Sequence, residues 1–244
     1  MNNYEMILKE LDNEKLKSDI VETTGLFINT LCGDVVSASQ LVNKILETSL
    51  NFRDKILMRN FFNYIRNIDK SLEQGVKLLV KLFPNDEKGK KNAEKIVLIL
   101  DRIDNEEKLK YIANATRSCV YQEITVEEFF RIVKIIDNSY FNDLLFLSTN
   151  ITKKSLFKGN ITVHALANSG LMMQCGINCN ENIENQNYAF TKLGMLVDKY
   201  ALSYDNEDKQ QFYLKEQPKI TFKMENIIET ASDEDIDALF EDNK

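Results

Sequence analysis

The 244-residue sequence predicts a mainly α-helical protein: a helical bundle followed by a small winged-helix-like α+β module and an acidic C-terminal tail. Three observations predict it. Only 8 Gly and 2 Pro are present, too few for the special backbone angles that a turn-rich all-β chain needs. Apolar residues recur at helical spacing through residues 51–150, and after Ile151 that spacing gives way to short helices and two extended runs. Residues 225–244 hold Glu225, Glu229, Asp233, Glu234, Asp235, Asp237, Glu241 and Asp242 against Lys244, so they alone account for the chain's net charge of −7. A chain of this length buries about 70–75% of its unfolded surface, so its core needs no disulfide or metal.

Four parts follow in order: residues 1–50, 51–150, 151–204 and 205–244. In the first, Tyr4, Ile7, Leu8 and Leu11 predict a short amphipathic helix, and residues 25–33 read as a looser buried or partner-facing turn. Val35, Val36, Leu41, Val42, Ile45 and Leu46 then predict a helix over about 35–50. In the second part, Leu57, Phe61, Tyr64, Ile65 and Ile68 place one core-facing helix over 52–69. Ser71 with Gln74 opens the next, whose stripe of Leu72, Val76, Leu79, Val80 and Phe83 runs to Pro84. The run from Ile96 to Leu100 is apolar on nearly every side and predicts a central helix. Asp104 with Glu107, and Thr125 with Glu128, cap the two helices that follow.

In the third part, residues 153–157 read as a short helix, Asn160 caps a helix over 161–168, and Gly170 stops it. Residues 171–177 and 187–190 read as strands joined by a polar turn, and Thr191 caps a last helix through Leu193, Leu196, Val197, Tyr200 and Leu202. Helix, helix, two-stranded ribbon, helix is the order of a winged-helix-like module.

The charge pattern nominates contact surfaces. Residues 51–118 carry a net charge of +5 and residues 1–50 a net of −4. Lys88, Lys90 and Lys91, in a basic stretch with Lys77, Lys81 and Lys95, are candidate anion or nucleic-acid contacts, weighed against a solvated charged face. Lys153, Lys154 and Lys158 are the corresponding candidates beside the winged-helix-like module. Its reading helix over 161–168 holds no Lys or Arg, which argues against base recognition, and Glu181 and Glu184 in the turn have the wrong sign for phosphate. In the tail, Ile236, Leu239 and Phe240 fall on one face of a short helix amid dense acid, the composition of a segment that folds on a partner.

Cys175 and Cys179 with His164 and Cys119 could be drawn into a zinc site, but no second close-spaced pair completes it. No cofactor, metal or catalytic set is expected: GxGxxG, Walker, HExxH and zinc-ribbon patterns do not occur. The first 20 residues carry Glu5, Lys9, Glu10 and Asp12 where a signal peptide is apolar, and the 22-residue uncharged run from Gly159 to Asn180 is broken by Asn160, His164, Asn168 and Gln174. These features predict a cytoplasmic protein without membrane contact.

The tail resembles the acidic tails of single-stranded-DNA-binding proteins and clamp-binding peptides ending in Leu-Phe, although Ile236 stands where the clamp pattern has Gln. The run Leu100-Asp101-Arg102-Ile103-Asp104 with Lys108, then Ile124 to Phe129, Asp143-Leu144, Ser169-Gly170-Leu171 and Thr191-Lys192-Leu193-Gly194, resembles an arrangement in uncharacterised bacterial and prophage proteins. That resemblance implies a bundle followed by a winged-helix-like module and carries no catalytic residues. Together with the Lys-, Asn- and Ile-rich composition, it leads to the expectation of a non-enzymatic adaptor or regulator in a phage or anti-phage defence setting. Such a protein would contact a protein partner through the acidic tail; the alternative is a winged-helix transcriptional regulator.

Overall fold

A computed structural model describes residues 14–47, 52–153, 155–175 and 186–216 of the chain. The helix expected around Tyr4 to Leu11, most of the polar turn after Ile177, and the candidates Lys154, Ile236, Leu239 and Phe240 lie outside the described residues. The chain divides into two units, with the boundary after Gln210. The fold is mainly helical with a small three-stranded antiparallel sheet. In order come α1 (Glu14–Leu31), α2 (Val35–Glu47), α3 (Phe52–Ile68), α4 (Leu72–Leu79), α5 (Glu87–Arg102), α6 (Glu106–Val120), α7 (Val126–Asn138) and α8 (Phe141–Asn150). Then follow β1 (Phe157–Lys158), α9 (Ile161–Asn168), β2 (Met172–Cys175), β3 (Asn187–Phe190), α10 (Lys192–Val197), a π-helix (Asp198–Leu202) and α11 (Glu207–Glu216), within which the unit boundary falls.

Residues 25–33 are not a loose turn. Helix α1 runs through Gly25 to Leu31, because Phe27 and Leu31 enter the core on one face and the Thr30 hydroxyl donates back to the Leu26 carbonyl at 2.8 Å. The chain breaks instead at Gly33, whose φ of +92° favours glycine and where a Cβ would strike the Val80 side chain. Phe27 meets Phe61 of α3 edge-on at 4.7 Å between ring centres, joining the first helix to the bundle.

Helix α4 ends at Leu79, earlier than its apolar stripe suggests, and Leu82 and Phe83 enter the core from the turn that follows. Asp86 caps α5 by accepting the Gly89 N–H at 2.6 Å, and a Cβ at Gly89 would lie 1.8 Å from the Pro84 carbonyl oxygen. Only glycine lets that carbonyl lie against the first turn of the helix.

The central helix is α6, not the apolar run in α5. Helix α6 is buried along most of its length, including Lys108, Asn114, Thr116 and Ser118, because each polar side chain has a fixed partner. Thr116 shares a hydrogen bond with the buried Tyr64 hydroxyl at 2.8 Å, Asn114 donates to the Ala201 carbonyl at 2.9 Å, and Ser118 donates to the Tyr200 carbonyl at 3.1 Å. The cap of α6 is Asn105, one residue beyond the expected Asp104, which pairs instead with buried Lys108 at 3.3 Å. Cys32 and Cys119 pack as buried thiols, and burial pushes Cys119 up to about 11.

The capping box of α7 forms as its sequence predicts. The Glu128 N–H donates to the Thr125 hydroxyl oxygen at 3.2 Å, and Glu128 accepts the Thr125 N–H at 2.8 Å. That N–H first, and the Thr125 hydroxyl second, hold the Glu128 carboxyl below its ordinary value of 4.5. A carboxylate lowered in the folded state contributes fully above the ordinary glutamate range and loses its contribution as pH falls through the lowered value. The melting-temperature difference between the wild type and Glu128→Gln should therefore be largest near neutrality and shrink below about pH 4. Thr125→Ala should cost about 1 kcal/mol near neutrality, read by urea denaturation.

Residues 153–157 do not form the expected short helix among the residues described. Phe157 begins β1, pairing with Tyr188 of β3, because the strand places its ring between Phe146 and Phe190, at 5.5 and 5.1 Å. The sheet order is β1-β3-β2. Asn160 and Thr191 cap α9 and α10 as expected, and Gly170 ends α9 with φ of +77°. Gly194 lets α10 approach the Leu171 carbonyl, 2.6 Å from where a Cβ would stand.

Candidate interaction surface

Side chains alternate between the faces of a sheet, and here the two faces differ in kind. Phe157, Met172, Gln174, Tyr188 and Phe190 share one face by register. On it, Met172 and Tyr188 are buried, Phe157 packs on Phe146 of α8, and Tyr188 meets His164 of α9. The Tyr188 hydroxyl lies 3.2 Å from His164 Nδ1 and donates toward Gln186 at 3.4 Å. The chain's one histidine thus helps to fasten α9 to the sheet.

The opposite face carries Met173, Cys175, Lys158, Asn187 and Ala189. Met173 opposes Ala189, and the residue before β1, Leu156, falls opposite Ala189 by the register that pairs Phe157 with Tyr188. Leu156, Ala189 and Met173 therefore form one apolar row across three strands, and Leu156 and Met173 remain 57% and 56% exposed. Ile161, at the start of α9, is 90% exposed. Apolar side chains held outward by a rigid sheet are the chemistry of a contact surface. Among the described residues between Leu144 and Val197, the charged side chains are Lys153, Lys158 and Lys192, with no Asp or Glu. Sequence reasoning missed this row because it puts Leu156 in a short helix and reads Met173 and Ala189 as ordinary strand positions; the signal lies in the cross-strand register.

No protein-family model matches the chain, and no curated protein or solved structure proves similar to it.

The lysines singled out by sequence fall on two surfaces. Lys88, Lys90 and Lys91 are exposed on the first turn of α5, where Lys91 pairs with Glu87 at 2.7 Å. In the same stretch Lys77 pairs with Glu73 at 2.5 Å, and Lys95 sits over the Phe130 ring at 5.4 Å. Three of these cations are thus committed within the helical body. Lys153 donates to Asn150 at 2.6 Å, and Lys158 lies on the outer face of the sheet. The structure does not bring the two lysine groups into one element.

A cavity of about 290 Å³ opens between α7, α8 and α9, lined by Lys134, Tyr140, Asp143 and Ser169 among others. The described residues contain no cluster of three or more His, Cys, Asp or Glu able to hold a metal, and no helix among them is long and apolar enough to cross a membrane. Among the described residues, the most deeply buried charge serves the fold. Asp198 of the π-helix is fully buried, accepts the Ser203 hydroxyl at 2.8 Å, and faces the Lys209 ammonium at 3.2 Å. Lys209 also reaches the Ser148 carbonyl and hydroxyl, which joins α8, the π-helix and α11 within the first unit.

Proposed function

We propose that the protein is a non-enzymatic adaptor or regulator that works through protein contacts, made by the outer sheet face and the acidic segment around Ile236, Leu239 and Phe240. The uncovered row Leu156, Ala189, Met173 carries this reading. Large apolar side chains aligned in one exposed row offer area that a partner would remove from water. Around this row, residues 151–204 form a winged-helix-like module set on the bundle of residues 51–150. Affinity capture from native extract under nuclease treatment should recover a protein that is lost with Leu156→Glu/Met173→Glu, and lost or weakened when the chain stops at Met224. Recovery of the same proteins by all three forms would sink the reading.

One observation favours a second reading, a winged-helix DNA-binding regulator: a three-stranded β1-β3-β2 sheet follows the bundle, with α9 between β1 and β2 in the chain, Lys158 in β1 and Lys192 opening α10. It requires duplex binding that weakens steeply with salt and is lost in Lys158→Glu/Lys192→Glu. Absence of binding at low salt ends it.

A further inference from the structure

The cavity between α7, α8 and α9 gathers two opposite charges that the fold leaves without partners. Helix α7 carries five charged residues, and four of them are committed. Glu127 pairs with Arg131 at 3.3 Å, Glu128 closes the capping box, and Asp137 takes Arg102 of α5 at 2.6 Å. The fifth, Lys134, has no hydrogen-bond or ion-pair partner for its side chain among the described residues. Asp143, the one charged residue of α8, is likewise without a side-chain partner among them. Both residues line the same cavity of about 290 Å³ and do not pair with each other. Lys134 is exposed at its mouth and Asp143 is half-buried. The floor is apolar: Leu166 is buried, and Ile135 and Ala165 beside it are half-buried. That volume lies at the small end of the about 300–1,000 Å³ of most ligand sites, which suits a molecule the size of one amino acid.

We propose that this cavity binds a free α-amino acid with an aliphatic side chain. Its ammonium would face Asp143, its carboxylate Lys134, and its side chain the floor of Leu166, Ile135 and Ala165. Such a ligand answers both charges at once: with a hydrogen bond of about 3 Å at each end, it bridges two groups too far apart to pair directly. An amine or a carboxylate alone would leave one of the two protein charges unanswered, and a charged side chain would meet the apolar floor without a partner. The cavity shares no residue with the row Leu156, Ala189, Met173. The proposal therefore goes beyond the adaptor reading, and its failure leaves that reading untouched.

Isothermal titration of the full-length protein with L-leucine reads the binding directly. Three companions dissect it: 3-methylbutylamine, which is leucine without its carboxylate, 4-methylpentanoate, which is leucine without its ammonium, and L-glutamate. Leucine should bind at one site, and each companion at least about tenfold more weakly. Asp143→Asn should erase the preference for leucine over 4-methylpentanoate, and Lys134→Met the preference for leucine over 3-methylbutylamine. Neither position belongs to the core, so both variants should keep the melting temperature of the unliganded protein. Ala165→Leu fills the cavity while leaving both charges in place and should abolish binding. No binding of leucine at millimolar concentration, equal binding of leucine and its two truncated forms, or tighter binding of glutamate would overturn the proposal. So would leucine binding that survives Ala165→Leu, or preferences that Asp143→Asn and Lys134→Met leave unchanged.

Discussion

Replacing Lys209 with methionine should cost about 3–5 kcal/mol of stability. Asp198 is fully buried, and the Lys209 ammonium lies 3.2 and 3.3 Å from its two carboxylate oxygens. Methionine preserves the aliphatic stem but takes away the ammonium that faces both carboxylate oxygens, and burying a charge without that counter-ion carries most of the penalty. The same change removes the bonds from Lys209 to Ser148 and Ser203, so three elements loosen together. Combining Lys209→Met with Asp198→Asn should recover a large part of the loss, because the uncompensated charge disappears with the second substitution. Urea denaturation at unchanged m reads both effects. A Lys209→Met protein within 1 kcal/mol of the wild type would show that this ion pair is not what secures the π-helix.

A loss of similar size is expected from Phe61→Ala. Phe61 is fully buried and lies edge-on to Phe27 of α1 at 4.7 Å and to Phe62 at 5.8 Å. Removing a buried phenyl ring costs about 3–5 kcal/mol, through lost transfer energy and the cavity left behind. The partner choice makes the experiment informative about the N-terminal segment. If Phe27 and Phe61 act together, the double substitution Phe27→Ala/Phe61→Ala should cost less than the sum of the two single changes by about 1 kcal/mol. Strict additivity would mean that α1 does not depend on this ring of α3.

Helices with a clear apolar stripe and a side-chain cap were legible from residue types alone. Residues 52–69, the Thr125–Glu128 box, the Asn160 and Thr191 caps and the strand at 187–190 each satisfy a local rule, and the structure forms each at or within a residue of the expected place. What sequence could not show is whatever depends on a distant partner. Helix α6 looks half-polar, yet Asn114, Thr116 and Ser118 are buried because Ala201, Tyr64 and Tyr200 receive or share their hydrogen bonds. Gly25 looks like a break but occupies a helix position where a side chain would meet open space. The strand at Phe157 is set by rings from Phe146 and Phe190 rather than by its own two residues. The lysines at 88, 90 and 91 were visible at once, whereas the pairing of Lys91 with Glu87 and the row Leu156, Ala189, Met173 exist only once helix and sheet registers are known.

The hydrogen bonds of α6 also impose an order on synthesis. Asn114 and Ser118 find their acceptors 87 and 82 residues later along the chain, so the helix at the middle of the molecule is completed by nearly the last residues of the first unit to leave the ribosome. Until Tyr200 and Ala201 emerge, a nascent chain that has already made α3 and α6 must leave those polar groups to water and keep that side of the helix open. Such contacts of long sequence separation slow folding, and they make a chain stalled before residue 198 a partly collapsed species with an exposed helical face, the kind that chaperones hold. Pulse proteolysis of ribosome-bound chains of increasing length should show protection of α6 rising in one late step after residue 201 is released, rather than growing helix by helix.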